Sequence, residues 1–221
     1  PNVARTVTSI GKYAYGENED TAYCHLFASG EVSFSNGVKL ICKTGYPFDL
    51  TVDYTAVKGG RVKIHIPSWS EKYSVTVNSE KAGTEIEDGY ITLKLCDGDK
   101  VSVKLDESIK TVYPSRKIPS LTGKVAFMRG PLVYCFEGVD NEGDVLSLNA
   151  VKQGEKRAEK ITDSVLGEIP VIFVRGEKSE ESEELYSFKE SKASPVTLRA
   201  IPYFLWGNRG ENQMRVFIDE K

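Results

Sequence analysis

The stretch Phe48-Asp49-Leu50-Thr51-Val52-Asp53-Tyr54-Thr55-Ala56-Val57-Lys58-Gly59-Gly60-Arg61-Val62-Lys63-Ile64-His65-Ile66 decides the fold class. Phe48, Leu50, Val52 and Tyr54 occupy every second position, with Asp49, Thr51 and Asp53 between them. Val62, Ile64 and Ile66 alternate in the same way with Lys63 and His65. A period of two puts one set of side chains on each face of a pleated strand, and Lys58-Gly59-Gly60 supplies the turn between two such strands.

The same pattern extends in both directions. Upstream, residues 21–27 (TAYCHLF) read as a strand, and residues 31–34 and 38–43 flank the hairpin turn Ser35-Asn36-Gly37. Downstream, residues 73–77, 90–95 and 101–105 follow, separated by Asp88-Gly89 and Asp97-Gly98-Asp99. Strands at this spacing with Gly, Asp and Asn turns are the signature of an antiparallel sandwich. Residues 114–120 (PSRKIPS) hold two prolines and no periodicity, and mark a boundary. Beyond them, residues 124–129, 132–137, 171–174, 196–201 and 214–218 read as strands, and 154–160 as a helical turn or loop. The acidic run at 178–184 (KSEESEE) reads as a solvated loop.

The first residues obey a different period. Val3, Val7, Ile10 and Ala14 form one apolar stripe of a helix that ends near Gly16. A lone helix on a β-rich chain needs a surface for that stripe, and the reading places this surface in polypeptide upstream of residue 1. The expected fold is therefore mainly β: two antiparallel β-sandwich, jelly-roll-like domains over 17–116 and 117–221, preceded by a short α-helix within 1–16.

With 29 basic and 32 acidic residues the formal charge is −3 and the pI about 5.6. That balance argues against nucleic acid and against a polybasic membrane surface, since phosphate binding needs clustered Lys and Arg. No apolar run approaches the roughly 18 residues of a membrane span. Cys24, Cys42, Cys96 and Cys135 each lie in or beside an apolar run without close spacing. They read as buried free thiols rather than metal ligands, and point to a reducing compartment, a bacterial cytoplasm.

Catalytic constellations do not emerge from the residues. His25 and His65 lie in strands, away from any nucleophile elbow, and read as ordinary strand or interface histidines. Asp97, Asp99, Asp140, Glu142 and Asp144 sit in turn-like contexts where carboxylates cap their own backbone. Trp69, in Ile66-Pro67-Ser68-Trp69, and Trp206, in the segment 201–210 (IPYFLWGNRG), are the two ligand candidates. An indole can stack on a sugar face; the competing reading packs each one where a strand ends. For Trp206 the packed reading is taken, with Gly207 and Gly210 permitting the bend and Arg209 anchoring the loop on carboxylates or carbonyls. No catalytic, cofactor-binding or metal-binding residue is assigned.

The segments 1–10 (PNVARTVTSI), 61–69 (RVKIHIPSW), 89–93 (GYITL), 97–101 (DGDKV), 123–137 (GKVAFMRGPLVYCFE), Asp140-Asn141 and 201–215 (IPYFLWGNRGENQMR) together resemble the C-terminal portion of glycoside hydrolase family 127, the β-L-arabinofuranosidase family. The resemblance implies an (α/α)6 barrel that carries the active site, followed by two β-sandwich domains. It implies a zinc-bound cysteine nucleophile just upstream of the segment that here begins Pro1-Asn2, with a glutamate acid/base further upstream. A zinc-bound thiolate is deprotonated at neutral pH. None of those positions falls within residues 1–221, so this chain alone is expected to be inactive, with zinc in the preceding domain and none here. The upstream barrel is the expected partner, and a homodimer is also admitted. Two further readings stay open: a carbohydrate-binding sandwich using Trp69 or Trp206, and a structural or dimerisation module without a ligand.

Overall fold

The structure, a computed structural model, describes residues 2–83, 85–180, 184–189 and 191–221. It is mainly β and divides into two compact units between Glu107 and Ser108.

The first unit opens with two short helices, α1 (Asn2–Ser9) and α2 (Gly11–Ala14). Ten strands follow: β1 (Tyr15–Glu17), β2 (Thr21–Cys24), β3 (Gly30–Ser33), β4 (Lys39–Thr44), β5 (Thr51–Lys58), β6 (Gly60–His65), β7 (Tyr73–Val77), β8 (Glu80–Lys81), β9 (Tyr90–Leu95) and β10 (Lys100–Leu105). They form a four-stranded sheet in the order β1-β2-β6-β9 and a six-stranded sheet in the order β3-β4-β5-β10-β7-β8. The alternation seen in the sequence selects the inward faces. Ala22, Cys24, Val62, Ile64, Ile91 and Leu93 from the first sheet join Leu40, Cys42, Val52, Tyr54, Ala56, Val101 and Val103 from the second in one buried cluster. Two sheets sharing one core make this unit a sandwich. One pairing departs from the antiparallel rule: β2 and β6 run parallel, with Cys24 opposite Ile64.

The helical stripe is only partly used. α1 buries no residue, and Val3, Val7 and Ile10 are 78%, 65% and 53% exposed. Ala14 is buried, and its carbonyl accepts the amides of His25 and Leu26 at 2.8 and 3.2 Å. Those two bonds tie the end of α2 to the residues that follow β2.

The second unit contains β11 (Ile109–Val112), β12 (Lys124–Arg129), β13 (Leu132–Glu137), β14 (Leu148–Ala150), β15 (Lys156–Asp163), β16 (Gly167–Ser179), β17 (Ala193–Pro202), β18 (Met214–Arg215) and β19 (Ile218–Glu220). Their pairings follow the order β11-β12-β19-β14-β16-β17-β13-β18, and β12 also meets β13 at the tip of their hairpin. β14 and β19 are parallel; the other pairs are antiparallel. Because β11 pairs with β12, the proline-bearing stretch at 114–120 is a loop inside this unit, whereas the sequence expectation drew the break at 116/117.

Residues 154–160, expected as a helical turn or loop, instead belong largely to β15, which pairs along its whole length with β16. Among the described residues β15 has no other strand partner, and it buries none of its residues, so it lacks the apolar alternation that betrays a half-buried strand. Of the acidic run, Lys178 and Ser179 continue β16, while residues 181–183 lie outside the described residues. Gly176 is required by packing: a Cβ there would lie 2.6 Å from the Asn149 carbonyl oxygen and 2.4 Å from Leu198 Cδ1.

Candidate functional site

The parallel pairing of β2 with β6 has a chemical consequence. With Cys24 opposite Ile64, the next residues His25 and His65 come side by side at the ends of neighbouring strands. Tyr90 lies opposite His65 across β9. Its hydroxyl is 2.7 Å from His25 Nδ1, and its ring stands edge-on to His25 at 5.7 Å and tilted to His65 at 5.3 Å between centroids. Tyr23 stacks on His25 at 5.9 Å. Burial, then the charge of His25, hold His65 below the ordinary imidazole value, opposed by a backbone hydrogen bond at His25.

These histidines open onto a cavity of about 700 Å³ at the end of the sandwich. Its walls include Tyr15, Tyr46, Phe27, Trp69 and Pro67, with Ile10, Gly11 and Ala14 from the helical segment. Tyr15 is fixed by its hydroxyl, which donates to the Ala28 carbonyl at 3.3 Å, and by edge-on contact with Phe34. Tyr46 meets Phe27 edge-on at 5.2 Å. Trp69 packs in part against the core of the unit and in part lines the cavity. The sequence reading kept His25 and His65 apart. Their shared outward parity with Tyr23 and Lys63 was legible, but a parallel pairing across three intervening strands has no local signal.

In the second unit the segment 201–210 is arranged differently from the expectation. Trp206 is 43% exposed, and Tyr203 and Phe204 are 44% and 57% exposed. The aromatics follow Pro202 into a 3-10 turn, Tyr203–Leu205, that carries them outward. Arg209, not Trp206, is the residue that is buried. Its guanidinium side chain is 7% exposed and bonds to Glu137, Asp140 and Asp163. Glu137 also accepts the Gly207 amide at 3.0 Å and the Asn212 side-chain amide at 3.4 Å. Burial alone would raise the Glu137 carboxyl, but the Gly207 amide and Arg209 hold it below the ordinary glutamate range. Asp140 additionally pairs with Arg199 at 3.2 Å. The hub therefore pairs the Arg209 guanidinium on three carboxylates and anchors the loop, as the reading of Arg209 anticipated.

The other carboxylates are also engaged locally. Asp97 accepts the Gly59 amide, Asp99 the Cys96 amide and the Asn78 side chain, and Asp144 the Leu146 amide. Glu142 pairs with Lys178. Cys24, Cys42 and Cys135 are buried, and burial pushes the Cys24 and Cys135 thiols up to about 12. Cys96 departs from the expectation of four buried thiols: it is exposed, where β9 ends in the Asp97-Gly98 turn. Among the described residues no three His, Cys, Asp or Glu side chains gather around a common point suited to a metal ion. No described helix is long and apolar enough to cross a membrane.

Comparison with known proteins gives these two units a common context. Residues 21–107 match the family model "Beta-L-arabinofuranosidase, GH127 middle domain", and residues 109–219 match "Glycoside hydrolase family 127 C-terminal domain". The chain is 34% identical to a non-reducing end β-L-arabinofuranosidase of Bifidobacterium longum subsp. longum, over 98% of this chain and 36% of that protein. The crystal structure of a GH127 β-L-arabinofuranosidase from Geobacillus stearothermophilus T6 superimposes with a TM-score of 0.90 at 33% identity, covering all of this chain and 37% of that one. A further GH127 β-arabinofuranosidase structure gives 0.87 at 25% identity, covering 38% of its own chain. The chain thus spans little more than a third of the length of these relatives, and it belongs to glycoside hydrolase family 127.

Proposed function

We propose that this chain is the non-catalytic middle and C-terminal β region of an enzyme that hydrolyses β-L-arabinofuranosides, and that it buttresses the helical barrel in which the chemistry takes place. The observation that carries this reading is the helical segment. Residues 2–14 lie ahead of the match to the middle domain, and their apolar stripe at Val3, Val7 and Ile10 is left to solvent by a sandwich whose own core is complete. A helix in that position suits the last element of a preceding helical domain, its stripe covered by neighbouring helices.

The cysteines here do not fit a zinc-thiolate site. Cys24 and Cys42 are buried in one core, Cys96 is exposed, and Cys135 lies in the other unit. Metal chemistry accordingly belongs to the preceding domain, and the buried free thiols suit a reducing bacterial cytoplasm. The test is direct: the purified chain should neither cleave an aryl β-L-arabinofuranoside nor retain one zinc per chain. Turnover, or stoichiometric zinc by elemental analysis, would overturn the reading.

A second reading, a carbohydrate-binding role, is favoured by one observation: aromatic side chains lie open in both units, around Trp69 and at Trp206.

A further inference from the structure

We infer that the cavity of the first unit is a binding site for a neutral carbohydrate residue, seated between Trp69, Tyr46 and Tyr15 and held through its hydroxyls by His25, His65 and the Tyr46 hydroxyl. The choice of a carbohydrate among neutral polyols rests on the glycoside hydrolase reading above; the site itself rests on the geometry.

At about 700 Å³ the cavity falls within the roughly 300–1,000 Å³ of small-molecule sites. Tyr15, Phe27, Tyr46 and Trp69 give it aromatic walls, which suit the flat C–H face of a sugar ring. The polar groups are few and suited to hydroxyls. His25 has Nδ1 engaged by Tyr90, leaving Nε2 as the nitrogen to offer a ligand. A neutral imidazole offers one donor and one acceptor, the complement of a hydroxyl. The Tyr46 hydroxyl has no hydrogen-bond partner among the described residues.

Charge narrows the ligand further. Among the described residues no Lys or Arg lines the cavity, which disfavours phosphorylated, sulfated or uronic sugars. The one carboxylate among its described lining residues, Glu31, is paired with Lys39, which disfavours a cation. An apolar side chain from a partner protein would fill the aromatic part, but would leave the Tyr46 hydroxyl and the second nitrogen of His25 desolvated, a costly arrangement. A hydroxylated ring satisfies both halves of the lining.

The experiment titrates the intact chain with methyl β-L-arabinofuranoside, L-arabinose and, as a charged control, glucuronate. The two indole N–H signals, from Trp69 and Trp206, are followed by NMR. A saturable shift of Trp69 with the neutral sugars and none with glucuronate is the expected result. Tyr46→Phe and His25→Gln should each weaken binding about fivefold, the loss of one hydrogen bond, and in Tyr46→Phe the melting temperature should hold. Absence of any saturable Trp69 shift up to roughly 50 mM, well beyond millimolar weak sites, overturns the proposal. So does a shift confined to Trp206, or unchanged affinity in both variants. Displacement of sugar by an apolar dye supports it, whereas dye binding at Trp69 without sugar binding identifies a protein-docking pocket and overturns it. Hydrolysis measured on the same samples separates this outcome from failure of the functional reading, because binding without turnover leaves both standing.

Discussion

The first unit leaves imidazole and aromatic side chains around an open cavity, whereas the second closes its charged side chains on one another. Around His25 and His65 the polar partners are few, the Tyr90 hydroxyl at His25 and a backbone hydrogen bond between His65 and His25. Around Arg209 three carboxylates and two amides close in, and only Arg199 Nε and Asn212 Oδ1 of that cluster, among the described residues, are buried without a partner. The contrast separates two uses of polar groups in a β scaffold. An open shell can accept a ligand; a closed one fixes a loop. The chain's two tryptophans fall one in each unit, so single-tryptophan variants can follow each unit separately.

The largest effect should come from breaking the closed shell. Arg209→Met removes the cation and leaves Glu137, which is fully buried, without its main partner. Removing one member of a buried ion pair costs about 3–5 kcal/mol. The denaturant midpoint reported by Trp206 should fall accordingly. Adding Glu137→Gln and Asp140→Asn should recover much of the loss, because the penalty lies in the uncompensated charge. A loss below about 1 kcal/mol, the scale of an exposed pair, would show that the hub is not the anchor described.

A smaller effect tests close packing in the same unit. Gly176→Ala drives a methyl group against the Asn149 carbonyl and Leu198. Overpacking of this kind costs about 1–3 kcal/mol. A substitution without effect on the Trp206-reported midpoint would mean that β14 and β17 yield readily around β16.

Much of this architecture was legible in the residues, for a physical reason. Period-two alternation at Val52, Tyr54 and Ala56, or at Val62 and Ile64, reports burial on one face, and those residues are the core. The hairpin at Ser35-Asn36-Gly37 was equally clear, since Gly37 adopts φ +93° there. β15 was hidden because an exposed edge strand has no reason to alternate. The histidine pair was hidden because strand order is set by contacts far apart in sequence. Trp206 was misplaced because a large aromatic after a proline reads as a buried cap, while the polar Arg209 three residues later fills the interior by bringing its own counter-charges into range of Glu137 and Asp140.

That inversion gives the third prediction. A buried indole would cost about 3–5 kcal/mol on truncation to alanine. Trp206 is 43% exposed, so Trp206→Ala should lose about 1 kcal/mol or less, nearer the behaviour of surface positions. Differential scanning calorimetry decides between the two. A loss of several kcal/mol would restore the packed reading of Trp206 that its exposure argues against.

The smallest effect distinguishes the open shell from the closed one by pH. His65 is held below its ordinary value of 6.5, by burial and then by the charge of His25. The groups around it are His25 beyond the end of the neighbouring strand, with Tyr23 stacked on that imidazole, the tilted Tyr90 ring, and the Lys63–Glu87 pair along the same sheet. With its pKa lower in the folded state, the folded unit binds fewer protons than the unfolded chain as pH falls through 6.5. Its stability is therefore complete above that value and declines below it until the folded value is reached. The hub behaves otherwise. Glu137 has an ordinary value of 4.5 and is held lower still, so its contribution persists until the pH drops below 4.5. Between pH 7 and about pH 5 the first unit should lose stability while the second keeps its own, a divergence that acid carboxylate titration cannot mimic in this window. Melting followed at Trp69 and at Trp206 in single-tryptophan variants checks it, with His65→Gln as the control that removes the slope. A flat response at Trp69, or a slope that survives in His65→Gln, would assign the histidine pair no part in the stability of its unit.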